Sequence, residues 1–190
     1  MRLAKIWAVT ALAASIAGTA LAQGFPARSI DQLIAADLAK IQEQASKPKV
    51  GDLFFNPTAD GGAQTRVVYT GQSRPIEQRR QGFIAAFAAS ADGNGAYAGL
   101  YGREYLFQAG GKSHWMPVQS QVAGYFAKEL TSGTPVTLYL RNAGGFRTEQ
   151  GWDWVFLVEE FEGPKDAAKP GDKPETPKLQ AVPTGPKIKT

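Results

Sequence analysis

SQVAGYFAKELTSGTPVTLYLRNAGGFRTEQGWDWVFLVEEF, running from Ser120 to Phe161, reads as one helix followed by two strands. Ser120–Leu130 places Val122, Tyr125, Phe126 and Leu130 at i, i+3, i+4 and i+8, the spacing of an amphipathic helix. Thr134–Arg141 then switches to period two, with Val136, Leu138 and Leu140 on one face and Thr137, Tyr139 and Arg141 on the other. Trp152–Phe161 alternates Trp152, Trp154, Phe156 and Val158 against Asp153, Val155, Leu157 and Glu159. That strand is apolar on both faces, so a central or ring-closing position is expected for it. Asn142–Gly151, rich in glycine, reads as the loop between the two strands.

Upstream, Ser29-x-x-Gln32 is a capping-box pattern at the head of a helix carrying Ile30, Leu33, Ile34, Leu38 and Ile41, which should end before Pro48. Val50–Phe55 and Thr65–Thr70 read as short strands, and Pro75–Ser90 as a helix with Pro75 near its first turn. Ala96–Gln108 and Ser113–Gln119 form an expected hairpin about Gly110-Gly111. The fold class is therefore α+β. The order of strands, one helix, then two closing strands resembles the small antiparallel β-barrel of the OB-fold over Val50–Phe161. An N-terminal helix and an inserted helix are added to it. The alternative is an open antiparallel sheet with helices on one face.

Met1–Ala22 has the form of a secretory signal peptide: Arg2 and Lys5, an apolar run from Ile6 to Ala17, and Ala20-Leu21-Ala22 as the cleavage pattern. Cleavage after Ala22 would deliver a periplasmic or secreted protein, with no transmembrane segment left. Four parts are expected: leader 1–22, an N-terminal helix in 23–49, an α+β domain in 50–163 and a disordered Pro/Lys-rich tail in 164–190. The chain has 190 residues, no cysteine and a net charge of +4. Six lysines lie in the tail and two basic residues in the leader, leaving 13 basic against 14 acidic residues in 23–163. The basic balance thus belongs to the ends and gives no reason to expect a nucleic-acid partner. The lysine-rich tail could make weak contact with anionic surfaces.

Several motifs fail on their surroundings. Gly110-Gly111-Lys112-Ser113 imitates the end of a phosphate loop, but Leu106 stands where the first glycine belongs. Gly93-x-Gly95-x-x-Ala98 follows a helix instead of a strand. Asp92-x-Asn94 opens a calcium loop that Ala96 fails to continue. His114 is the sole histidine, too few for a zinc site, and no Gly-x-Ser-x-Gly elbow partners it. No metal or cofactor is expected.

Arginine and aromatic side chains are the stronger signal. Arg103 and Tyr105 alternate along one strand, and Arg141, Phe146, Arg147 and Trp152 surround the Asn142–Gly151 segment. Aromatic faces stack on sugars or bases, and guanidinium groups read phosphate or carboxylate. These six are the candidate ligand-binding residues, with core packing as the competing account of the aromatics. The expected function is a non-enzymatic binding or structural domain of the bacterial envelope, serving an envelope polymer or a protein partner. The alternative is a periplasmic hydrolase acting on glycans or esters through last-strand carboxylates among Asp153, Glu159, Glu160 and Glu162.

Overall fold

The computed structural model describes residues 25–44, 47–56, 62–93 and 95–163; the expected leader and tail lie outside them. The architecture is α+β, with one mixed six-stranded sheet and three α-helices among the described residues. Helix α1 (Ile30–Glu43) starts where the capping box predicts. Gln32 N donates to Ser29 Oγ at 3.2 Å, and Ser29 N donates back to Gln32 Oε1 at 2.9 Å. Strand β1 (Leu53–Phe55), strand β2 (Gly62–Pro75) and helix α2 (Gln78–Asp92) follow. A 3-10 turn over Ala96–Leu100 then leads into β3 (Tyr101–Ala109) and β4 (Lys112–Gln119). Helix α3 (Ser120–Glu129), β5 (Pro135–Thr148) and β6 (Gly151–Glu162) complete the order.

Five strands pair into a ring. β2 pairs with β3, β3 with β4, β4 with β6, β6 with β5, and β5 returns to β2. Alternating directions cannot close an odd-numbered ring, so one neighbouring pair must be parallel. It is β4 and β6, joined at Val118 and Val158. The sheet is therefore mixed, where sequence reading expected only antiparallel pairs. β1 lies outside the ring and pairs with the far half of β5, Leu53 opposite Phe146.

Asn142–Gly151 is the main departure from expectation. It is no loop: β5 runs on to Thr148 and β6 begins at Gly151, leaving a tight hairpin. The glycines serve close approach of strands. At Gly144 (φ +103°) a Cβ would fall 2.0 Å from the Phe54 carbonyl oxygen, and at Gly145 one would fall 2.6 Å from the Asp153 oxygen.

Two apolar cores result. Inside the ring, Val67, Phe107, Met116, Leu138, Leu140, Phe156 and Val158 pack together, with Ile30 and Leu33 of α1 and Phe126 of α3 closing over them. Phe126 lies within 6.1 Å of the rings of Tyr69, Tyr105, Phe107 and Phe161. Burying such a side chain stabilises the fold by about 2–3 kcal/mol. Outside the ring, Phe83, Ile84 and Phe87 of α2 cover Ala143, Phe146, Val155 and Leu157. β6 feeds both cores, Phe156 and Val158 inward and Val155 and Leu157 outward, as its two apolar faces predict.

Candidate functional site

Arg147 and Trp152 face each other across the β5–β6 hairpin as cross-strand partners. Trp154, two residues on and so on the same face of β6, stacks against Trp152 with ring centroids 5.5 Å apart at 25°. Phe54 of β1 is paired with Gly145, and Gly145 with Trp154. The missing side chain at Gly145 leaves room for the two aromatics that flank it. The last turns of α1 overhang this face. Leu38, Ile41 and Gln42, with Lys47, Pro48, Arg147 and Trp152, line a cleft of about 570 Å³. A neighbouring depression of about 260 Å³ is lined by Ile41, Gln44, Pro48, Asp52, Leu53, Phe54 and Trp152. Ile41, Pro48 and Trp152 belong to both, so the two form one groove. Leu38 and Leu53 are among the few large apolar residues left exposed.

A buried polar latch holds α1 over the groove. Asp37, 1% exposed, accepts from Asn142 Nδ2 at 2.7 Å and from Asn56 Nδ2 at 3.2 Å. Lys40 Nζ donates to Asn56 Oδ1 at 2.9 Å, and Gly144 N to Asn142 Oδ1 at 3.1 Å. Burial pushes the Asp37 carboxyl above its ordinary value, although the Asn142 hydrogen bond and Lys40 oppose the shift.

The other four candidate residues lie apart from this groove. Phe146 points to the opposite face, buried in the outer core with its ring 5.7 Å from Phe83 and Arg79 above it at 4.9 Å. Arg141, half-buried, ion-pairs with Glu159 at 2.8 Å and lies over Tyr97 at 6.0 Å. Arg103 is exposed on β3 and donates to Ser73 Oγ at 3.0 Å. Tyr105 packs its ring 5.1 Å from Phe126 against the inner core. For Phe146 and Tyr105, core packing is the outcome.

Three of the four last-strand acids are engaged. Asp153 pairs with Arg80 at 2.5 Å. Glu159 accepts from Arg141 and from the Tyr97 hydroxyl, and Glu162 from the Tyr139 hydroxyl at 3.3 Å. Burial raises the Tyr97 hydroxyl far above its usual value and pushes Tyr101, which donates to it, up to about 12.

Sequence reading missed a buried ion chain. Glu104, fully buried, takes Arg74 on one oxygen and Arg80 on the other, each at 2.5 Å. Arg80 continues to Asp153 and to the Trp115 carbonyl, while Arg74 lies 4.2 Å over the Trp115 ring. Burial alone would lower the Arg80 pKa, but Asp153 and Glu104 outweigh it and hold the guanidinium charged. Beside Arg103 and before Tyr105, Glu104 carries no local sign in the sequence that it is buried. Asp37 did carry one, as an acid one turn from Leu33 and Ile41 on the apolar stripe of α1.

His114 is partly buried on β4, and burial lowers its pKa. Among the described residues no group of three His, Cys, Asp or Glu side chains could hold a metal ion. No described helix is long and apolar enough to cross a membrane. Compared with protein-family models, curated proteins and solved structures, the chain matches none.

Proposed function

We propose that this is an exported protein of the bacterial envelope whose ring-shaped domain is a non-enzymatic binding module, with the Arg147–Trp152 groove as its site. The observation that carries the reading is the groove itself: an aromatic floor and apolar walls, rimmed by the cations Lys47 and Arg147. Such a surface suits a ligand with an apolar part and negative charge. The Met1–Ala22 pattern supports export and a periplasmic location.

The ring order, with α3 between β4 and β5, supports an OB-type barrel. In such barrels the loop between the last two strands is a common ligand-binding element, and here that position is held by the Thr148–Gly151 turn beside the groove. The engagement of Asp153 and Glu159 by arginines favours a binding role over hydrolysis. Carboxylate oxygens already held by a guanidinium are poorly placed to reach the scissile bond of a substrate.

Capture from envelope extract tests the proposal. The purified chain on beads should retain a defined component, and Arg147→Glu combined with Trp152→Ala should release it without altering the circular dichroism spectrum. Arg103→Ala, away from the groove, should retain it. Retention unchanged in the double variant would overturn the proposal.

A further inference from the structure

We infer that the groove takes an extended acidic peptide that adds a strand to the outer edge of β1 and seats one bulky apolar side chain on Trp152. The inference rests on the binding role proposed above and names the class of partner. β1 ends the sheet order, and β5 is its one partner among the described strands. Backbone groups alternate between the two edges of an antiparallel strand. Arg147 N donates to Asp52 O at 2.9 Å and Asn56 N to Ala143 O at 3.1 Å, so residues of that parity face β5. Leu53 and Phe55 therefore turn their N–H and C=O groups to the outer edge. The smaller depression runs beside this strand, lined by Asp52, Leu53 and Phe54.

A peptide fits these features better than a sugar chain. A strand edge without a partner among the described strands complements another backbone, and the groove offers an apolar pocket beside it for a side chain. Leu38, Ile41, Pro48, Leu53 and Phe54 supply an apolar lining for that side chain, and Gln42, Gln44, Lys47, Asp52 and Arg147 the polar part of the groove. Charge selects the sign. Lys47 and Arg147 line the larger part, and Asp52, the one acid among the lining residues, accepts a hydrogen bond from the Lys49 N–H.

Selection from a phage library of random short peptides on the full chain, followed by calorimetry on synthetic winners, tests this. Enriched sequences should carry several acids around one Trp, Phe, Leu or Ile. Trp152→Ala and Arg147→Glu should each weaken binding about tenfold or more. Methylating alternate backbone nitrogens of the peptide should weaken it about as much, since strand addition depends on those donors. Enrichment of basic or neutral sequences, no enrichment, or binding indifferent to both substitutions would each overturn the inference. If selection fails while envelope capture still depends on Arg147 and Trp152, the binding role stands and the peptide falls. A polyuronate chain retained by the native protein and released by the same substitutions would then assign the groove to acidic glycans.

Discussion

The Asp37 carboxylate and the Asn142 amide, 105 residues apart in the chain, meet at 2.7 Å in the interior. That bond joins the middle of α1 to β5, whose outer half carries Arg147. With Asn56 as second donor, it sets how far the end of α1 overhangs Trp152. Replacing Asp37 with Ala strands two buried amides at once. A loss of about 2–3 kcal/mol is expected, the usual cost of leaving buried donors unsatisfied. Urea denaturation should show it, and hydrogen exchange should quicken in α1 ahead of the ring strands. Unchanged protection of α1 would mean that the helix is held by Ile30 and Leu33 alone.

The same carboxyl fixes a sign for pH dependence. Burial raises the folded-state pKa of Asp37 above the ordinary 3.8, so folding favours its protonated form. Its contribution to stability is complete below that ordinary value and is lost as pH rises through the raised one. Asp37→Asn removes the titration. The melting temperature of the variant should gain on that of the native chain as pH climbs from about 4 towards 7. A difference independent of pH would count against the shift. His114 acts in the opposite sense: burial lowers its pKa below 6.5, so its contribution is present above 6.5 and lost as pH falls through the lowered value.

Glu104 offers a sharper test of buried charge. Its two oxygens hold Arg74 and Arg80, and Arg80 Nε is buried without a hydrogen-bond partner among the described atoms. Glu104→Ala leaves the Arg80 charge facing only Asp153. A loss of about 3–5 kcal/mol is expected from removing one partner of such a pair. Exchanging both, Glu104→Met with Arg80→Met, should recover part of it, because neither buried charge then needs a partner, while Arg74 keeps Glu77 and the part-exposed Asp153 turns to water. Chemical denaturation of the single and double variants reads this directly. A double variant as damaged as the single one would show that the volume of the site, and not its charge, is what matters.

What the sequence disclosed follows the range of the interactions involved. The start of α1 was legible because Ser29 and Gln32 cap it within one turn. The two-faced character of β6 was legible because alternation is local. The parallel closure at Val118 and Val158 was not, since it follows from counting strands in a ring. Gly144 and Gly145 read as loop residues because their reason for being glycine lies on β1 and β6. The register irregularity between Asn142 and Gly144 also changes which residues face the groove. It leaves Phe146 in the outer core and Arg147 at the rim. Arg147 and Trp152 were grouped from sequence as neighbours of one glycine-bearing segment, but their cross-strand pairing was hidden because that segment read as a loop, and Arg141 lies too far up β5 to join them. Asp37 stood on the apolar stripe of α1, but its partner Asn142 lay 105 residues away, and Glu104, beside Arg103, had nothing local to mark it as buried.

The close approach at Gly144 predicts an unusually costly alanine. With φ at +103° and the Phe54 carbonyl 2.0 Å from where a Cβ would stand, the added methyl meets backbone that no side-chain rotation can clear. Positive φ in a non-glycine residue costs about 1–3 kcal/mol by itself, and the clash must add the separation of β1 from β5. Gly133 is the control. Its φ is +88° with nothing within 4 Å, so Gly133→Ala should incur the backbone term alone. Gly144→Ala should therefore lose clearly more stability in denaturant than Gly133→Ala. It should also weaken capture at the groove, because Leu53 and Phe54 form one wall of it. Equal losses from the two alanines, with capture intact, would show that β1 can move aside freely and that its pairing with β5 does not shape the groove.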